Sequence, residues 1–215
     1  MGADRERIFA AVAKERRQIA ALIDDLDDDQ LAAPSLCAGW DVKTVASHLI
    51  SVFDDSFWVF MCTALRRGSM ARAIDNLAHR RAELPAPEIA ATLRDRADHR
   101  LSPPLFGPVD PLADILVHSG DIRIPLNLPF HPDPQLAALA MDFLTGPWPF
   151  GFVPLRFLRG ISLHSSDIDR SWGNGKEIHG PVAALMMSVS GRDVMLDALN
   201  GPGLPVLRER LQDPN

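Results

Sequence analysis

The residues of this chain best suited to chemistry lie in the stretch DILVHSGDIRIPL, from Asp114 to Leu126. Within it, Asp114, His118 and Asp121 follow one another at spacings of four and three, which places all three on one face of a helix. Apolar residues flank this polar stripe on both sides, so the stripe is predicted to face inward. Buried ionised groups are costly unless they are paired or bind a metal. The pattern therefore indicates either an ion pair or a cation site.

A carboxylate and an imidazole one helical turn apart reach the same point in space, and together they suit a divalent cation. Two ligands from one helix do not complete a site, so a third must come from elsewhere. His48, at the border of the apolar face of an earlier helix, is the best candidate for this third ligand. Spacing alone leaves structural roles open: a helix-dipole contact for Asp114, a core position for His48, and a local ion pair of His118 with Asp121.

The composition narrows the classes of function. The chain has 215 residues, of which 47% are hydrophobic and 23% charged, as in an ordinary soluble globular protein. A net charge of -6 without a basic cluster argues against a nucleic-acid partner. Two cysteines, Cys37 and Cys62, exclude a disulfide framework. No apolar run approaches the roughly 18 residues of a membrane span, and the charged N-terminus lacks a signal-peptide core, so we expect a cytoplasmic protein without a membrane partner.

Helical periodicity predicts the elements that must position these residues. Asp41 is a plausible N-cap for the helix that carries His48, and Asp110-Pro111 gives a cap followed by a proline at the first position of the helix that carries the polar stripe. Whether that second helix is covered on one face or on two stays open, because apolar residues also occur opposite the stripe. The predicted helices span about 4–25, 41–67, 69–82, 87–101, 110–124 and 133–144.

The sequence changes character at TGPWPFGFVP, which marks the best candidate for a domain boundary. Beyond it, partly alternating apolar positions surround Asn174-Gly175, a pair that predicts a hairpin within about 161–180. Short helices are predicted at 181–190 and 193–199. The sequence therefore predicts a mainly α protein with a helical domain over 1–148 and a small α+β domain over 149–215.

Three separated segments resemble the mycothiol-dependent maleylpyruvate isomerase family, within the DinB-like superfamily. PSLCAGWDVKTVASHL resembles the start of that family's metal-binding helix, and ADILVHSGDIRIPL resembles its second metal segment. DIDRSWGNGKEIHGPVAALMMSVSGRDVMLDALNGPG is similar to the small C-terminal domain that many members carry. The resemblance implies a DinB-like four-helix bundle of the up-down-down-up type for the helical domain.

The resemblance also implies roles for particular residues. His48, Asp114 and His118 match the metal ligands. Arg192 matches an arginine position of the C-terminal domain that faces the site, which implies a catalytic role; a surface arginine at the start of a helix stays the alternative. The acid is Asp here where the characterised isomerase type has Glu. The shorter side chain implies either a shifted metal position or support of the site by Asp121 from behind. Which of the two carboxylates is the acidic ligand stays open. The implied cofactors are a divalent metal, zinc first and nickel second, and mycothiol or a similar thiol.

The implied activity is isomerisation or S-transfer on a small electrophilic substrate, with a possible homodimer as the assembly. A free thiol with a pKa near 8.5 is only about 3% thiolate at pH 7, whereas a bound cation deprotonates it. Two alternatives stay open: a metal-dependent hydrolase of the same superfamily, and a non-enzymatic, stress-related bundle that binds a metal or small molecule. Nucleophilic catalysis by Cys37 receives little weight, because nothing nearby in the sequence supplies a base.

Overall fold

The computed structural model describes residues 2–54, 70–100, 107–147, 153 and 157–212. The helices within these ranges are α1 (Gly2–Asp25), α2 (Asp28–Leu31), α3 (Val42–Asp54), α4 (Met70–Ala82), α5 (Ala86–Asp95), α6 (Val109–Arg123), α7 (Pro134–Leu144), α8 (Val182–Val189) and α9 (Leu204–Gln212). Three strands, β1 (Ile161–Ser165), β2 (Ser171–Gly173) and β3 (Lys176–Gly180), form one small sheet near the C-terminus. The predicted fold class, mainly α with a small α+β portion at the C-terminus, is confirmed.

Capping chemistry explains where the helix bearing His48 begins. The Asp41 carboxylate accepts a hydrogen bond from the Thr44 amide at 2.7 Å, as an N-cap residue does. From there α3 continues to Asp54, and the remainder of the predicted helix, to about 67, lies outside the described residues. Asp133 caps α7 in the same way, through the amides of Gln135 and Leu136.

Two helix predictions need correction, and two helices are present where none was predicted. The α5 helix ends at Asp95, well before the predicted residue 101. The Arg16 guanidinium donates to the carbonyls of Ala97 and His99, which a longer helix would use for its own hydrogen bonds. The predicted helix over 193–199 is a single 3₁₀ turn at Leu196–Ala198. The α2 turn, stabilised by a capping box between Asp27 and Gln30, and α9 were not predicted.

The turn at Asn174-Gly175 exists, but it does not close a hairpin. The sheet order is β2-β1-β3, so the two strands that this turn joins lie on opposite sides of β1. The hairpin of this region is instead β1 with β2, which are consecutive and antiparallel, and β3 runs parallel to β1. The turn passes the start of β1 so closely that a Cβ at Gly175 would lie 2.2 Å from the Gly160 backbone. Glycine is therefore required at position 175 because the chain passes so close to the Gly160 backbone, and not because a hairpin turn needs it.

Contacts divide the described chain into two compact units. The first lies within Met1–Leu101 and His118–Phe130, and the second within Ser102–Val117 and His131–Asn215. In the first unit α1 packs against α5, and α3 packs against both α4 and α5. In the second, α7 and β1 pack against α8. The predicted domain boundary near residue 148 stays a prediction.

The α6 helix is unbroken from Val109 to Arg123 and is covered on both faces. Ile115 and Ile122 beside the polar stripe are buried, and so are Leu112 and Leu116 on the opposite side. The helix that carries the polar stripe is therefore covered on two faces and not on one, and the polar stripe is enclosed. Among the described residues, the helices include none long and apolar enough to cross a membrane.

Candidate functional site

His118 and Asp121 form a buried pair on α6. The Nδ1 atom of His118 lies 2.8 Å from Oδ2 of Asp121, and the side chains are 10% and 0% exposed. A carboxylate that accepts from Nδ1–H fixes the ring orientation and the tautomer, so that Nε2 carries the lone pair. His118 is thus oriented as ligating histidines usually are.

His48 reaches the same place from α3. Its side chain is buried, and its ring centroid lies 4.9 Å from that of His118, with the two rings edge to face at 74°. The structure therefore brings together two of the predicted ligands that lie far apart in the sequence.

Asp114 lies on the same unbroken helix as His118, one turn earlier, and is half-buried. A carboxylate oxygen of Asp114 and one ring nitrogen each of His48 and His118 lie within 4.8 Å of one another. Two imidazoles and one carboxylate form a donor set that suits zinc, and three protein ligands are the number found in catalytic zinc sites. The residues present therefore fit a divalent cation.

A second carboxylate adds negative charge next to Asp114. Asp110 lies one turn earlier on α6, and its pKa is raised to about 7, first by burial and then by the charge of Asp114. Two carboxylates stacked on one helix repel each other when both are ionised. A bound cation would offset that repulsion.

Cys37 belongs to the same cluster, which its sequence position does not predict. Its sulfur lies 3.3 Å from Oδ2 of Asp121 and 3.8 Å from Nδ1 of His118. These partners lie 84 and 81 positions further along the chain, so no local pattern could have revealed them. No base lies near Cys37 in the sequence, but the fold places His118 and Asp121 next to its thiol.

Backbone hydrogen bonds hold the Cys37 loop in place. The Leu36 amide donates to the Asp121 carbonyl at 3.3 Å, which ties the loop to α6. The Ser35 hydroxyl donates to the Trp40 carbonyl at 2.9 Å, and the Trp40 amide donates to the Cys37 carbonyl at 3.0 Å. The thiol is therefore positioned by a closed turn.

Trp40 covers the two histidines with an aromatic surface. Its ring centroid lies 5.3 Å from that of His48 and 6.3 Å from that of His118. The indole N–H donates to the Asp75 carboxylate at 2.8 Å, which holds the ring in this position. The site thus has an apolar wall beside its polar groups, and the sequence pattern predicts no such role for Trp40.

Arg192 lies just beyond α8 and is half-buried. Its guanidinium donates to the Ser190 carbonyl, and its backbone amide donates to Met187 at 2.9 Å. These contacts fix the loop that carries it. The catalytic role expected for Arg192 stays a prediction.

Comparison with known proteins yields one family and one fold. A family model described as the mycothiol maleylpyruvate isomerase N-terminal domain matches residues 12–122, slightly more than half of the chain. A crystal structure of the mycothiol-dependent maleylpyruvate isomerase is similar, with a TM-score of 0.61, 11% identity and 92% of each chain covered. A histidine-to-alanine mutant of that enzyme gives 0.60, 12% and 92% of each chain. No curated protein sequence matches significantly.

Proposed function

Because the chain belongs to the family of the mycothiol maleylpyruvate isomerase N-terminal domain, we propose that it is a metal-dependent enzyme that uses a low-molecular-weight thiol to isomerise a small electrophilic substrate, or to transfer the thiol to it. The observation that carries the proposal is the convergence of ligand atoms from His48, Asp114 and His118 within 4.8 Å. All three residues lie inside the segment that matches the family.

The proposed ligands leave room for an exchangeable group. Three protein ligands to zinc leave a fourth position open, as in catalytic sites. A cation held there would convert a thiol in that position into thiolate, the nucleophilic form. Zinc is the first candidate and nickel the second, since imidazole and carboxylate ligands suit both.

The neighbouring residues would prepare the site. Asp121 keeps the His118 ring in the tautomer that presents Nε2, through the hydrogen bond of 2.8 Å. Trp40 shields the histidines from water on one side and offers a flat apolar surface to a conjugated substrate. Arg192, on the resemblance alone, is the proposed partner for negative charge on the substrate.

Isomerisation requires no net change in atoms. A thiolate adds to one carbon of a double bond conjugated with a carbonyl, and the electron pair moves to the carbonyl oxygen. The bond that has become single rotates, the electron pair returns, and the carbon–sulfur bond breaks to release thiolate. In S-transfer the adduct takes up a proton and leaves. Mycothiol is the proposed thiol, the cytoplasm the proposed location and a homodimer the proposed assembly.

The test combines metal analysis with a thiol-dependent assay. Protein purified without added metal should contain about one divalent ion per chain, and it should isomerise maleylpyruvate only when mycothiol is present. His118→Ala should lose at least about 100-fold in turnover, since mutation of a group that only supports a ligand already costs about 10–100-fold. His131→Ala, an exposed histidine, is the matched control and should keep full activity.

Three outcomes would contradict the proposal. Turnover that survives both metal removal and His118→Ala would exclude the metal-dependent mechanism. Hydrolysis without any need for thiol would favour the hydrolase alternative. Stoichiometric metal with neither thiol binding nor turnover would favour the non-enzymatic bundle.

A further inference from the structure

His118 takes part in two different groups of potential ligands. One group adds His48 and Asp114, and the other adds Cys37 and Asp121, again with one ligand atom of each residue within 4.8 Å of the others. The second group is built from the Cys37 loop and the last turns of α6. The second group offers a sulfur donor, which the first group lacks, and shares His118 with it.

We propose that Cys37, His118 and Asp121 form an alternative metal site for a thiophilic divalent cation such as cadmium or zinc. The site is distinct in its ligands from the one that the proposed function uses, and it does not rest on that function. It shares His118 with the first group, so the two sites compete for one residue.

The distances among the three donors are close to those that a tetrahedral ion requires. Zinc–ligand lengths of about 2.0–2.3 Å imply donor separations of about 3.3–3.6 Å. The observed separations are 3.8 Å from sulfur to nitrogen, 3.3 Å from sulfur to oxygen and 2.8 Å from nitrogen to oxygen. An ion could therefore enter with changes of at most about half an ångström in these separations.

The total charge of the three proposed ligands also matches that of a divalent ion. A thiolate at Cys37 and the carboxylate of Asp121 supply two negative charges, and a neutral His118 adds none, so a divalent ion makes the cluster neutral. Asp121 is fully buried, and buried charge is tolerated when it is paired or bound to a metal. Thiolate ligands favour soft ions over hard ones.

The two sites exclude each other because of the chemistry of imidazole. A neutral histidine has one nitrogen with a lone pair and one with a proton. When Nδ1 donates to Asp121, Nε2 is the ligand for the first group; when Nδ1 binds an ion with Cys37, Nε2 carries the proton. We therefore expect one ion per chain, and we expect a thiophilic ion to withdraw His118 from the first group.

Cadmium is the probe, because thiolate coordination gives it a charge-transfer absorption band in the ultraviolet. Wild-type protein in a phosphine reductant should show this band, saturating at one equivalent. Cys37→Ser should lose the band, whereas Cys62→Ser, at the only other cysteine of the chain, should keep it. His48→Ala should also keep the band, because it damages only the first group.

A second readout needs no variant. Cadmium bound at this site should slow alkylation of Cys37 by iodoacetamide at least about tenfold, as read by peptide mass spectrometry, because the sulfur lone pair is engaged. Absence of the band in wild type, its persistence in Cys37→Ser, or protection of Cys62 instead of Cys37 would overturn the proposal. Binding of two cadmium ions at once would show that the two sites do not compete for His118.

The same variants separate this inference from the proposed function. His48→Ala is expected to abolish thiol-dependent turnover while the cadmium–thiolate band remains. Cys37→Ser is expected to lose the band while a cation is still held by the first group. Failure of one proposal therefore leaves a different pattern from failure of the other.

Discussion

The substitution Asp121→Asn tests whether the buried carboxylate acts on a metal through His118. It replaces a carboxylate that is fully buried with an amide of the same shape and removes the negative charge next to Nδ1. A charge-assisted hydrogen bond contributes about 1.5–3 kcal/mol, and loss of such a partner typically lowers metal affinity by about 10–100-fold. These figures agree, since a tenfold change corresponds to about 1.4 kcal/mol.

The assay is a competition titration of nickel or zinc against a chelator, carried out in the Cys37→Ser background so that the thiolate cannot contribute. We expect Asp121→Asn to bind the ion about 10–100-fold more weakly than the background protein. Asp133→Asn is the matched control, because asparagine caps a helix as well as aspartate does, and its affinity should not change.

Circular dichroism must show that both variants keep their helical content. An affinity of folded Asp121→Asn within about twofold of the background would refute the reasoning, because the expected loss from the missing partner is at least tenfold. It would mean that the contact of 2.8 Å does not tune the ligand.

Three further predictions concern stability. Because the pKa of Asp110 is raised to about 7, the folded state holds this proton more tightly than the unfolded state. Metal-free protein should therefore lose stability as the pH rises from about 4 to about 7. In chemical denaturation, the stability of Asp110→Asn should depend less on pH, and an equal dependence on pH would contradict the assignment. Arg16→Met should lower the free energy of unfolding by about 2–4 kcal/mol, since the buried guanidinium binds two carbonyls at 2.8 and 3.0 Å. The control Arg17→Met, at an exposed side chain, should lower it by less than about 1 kcal/mol. Equal losses for the two variants in urea denaturation would refute this prediction. Gly175→Ala should lower the melting temperature more than Gly191→Ala, because both have positive φ but only the first has backbone at 2.2 Å from the new Cβ.

Local signals account for the parts of the fold that could be predicted from the sequence. Apolar periodicity and caps such as Asp41 and Asp133 are properties of a few neighbouring residues, so the starts of α3 and α7 were predictable. The end of α5 was not, because it depends on Arg16 of α1, which binds carbonyls more than 80 residues away. A distant side chain thus decides a boundary that local propensity leaves open.

The same distinction explains the sheet. Asn174-Gly175 correctly signals a reversal of the chain, yet the reversal places β1 between the strands that it joins. Turn chemistry fixes the local backbone conformation, whereas the partner of each strand is set by packing against the rest of the unit. A hairpin and a crossing around a third strand therefore share one local signal.

The candidate site illustrates what spacing can and cannot decide. Asp114 and Asp121 lie on the same face of α6 as His118, at i-4 and i+3, so the sequence left open which carboxylate is the acidic ligand. The contact of Asp121 with Nδ1 gives this carboxylate a position behind the ring, and a group there cannot also meet an ion on Nε2. Asp114 is therefore the proposed acidic ligand of the first group. Only when the ion moves to Nδ1, next to Cys37, would Asp121 become a ligand itself.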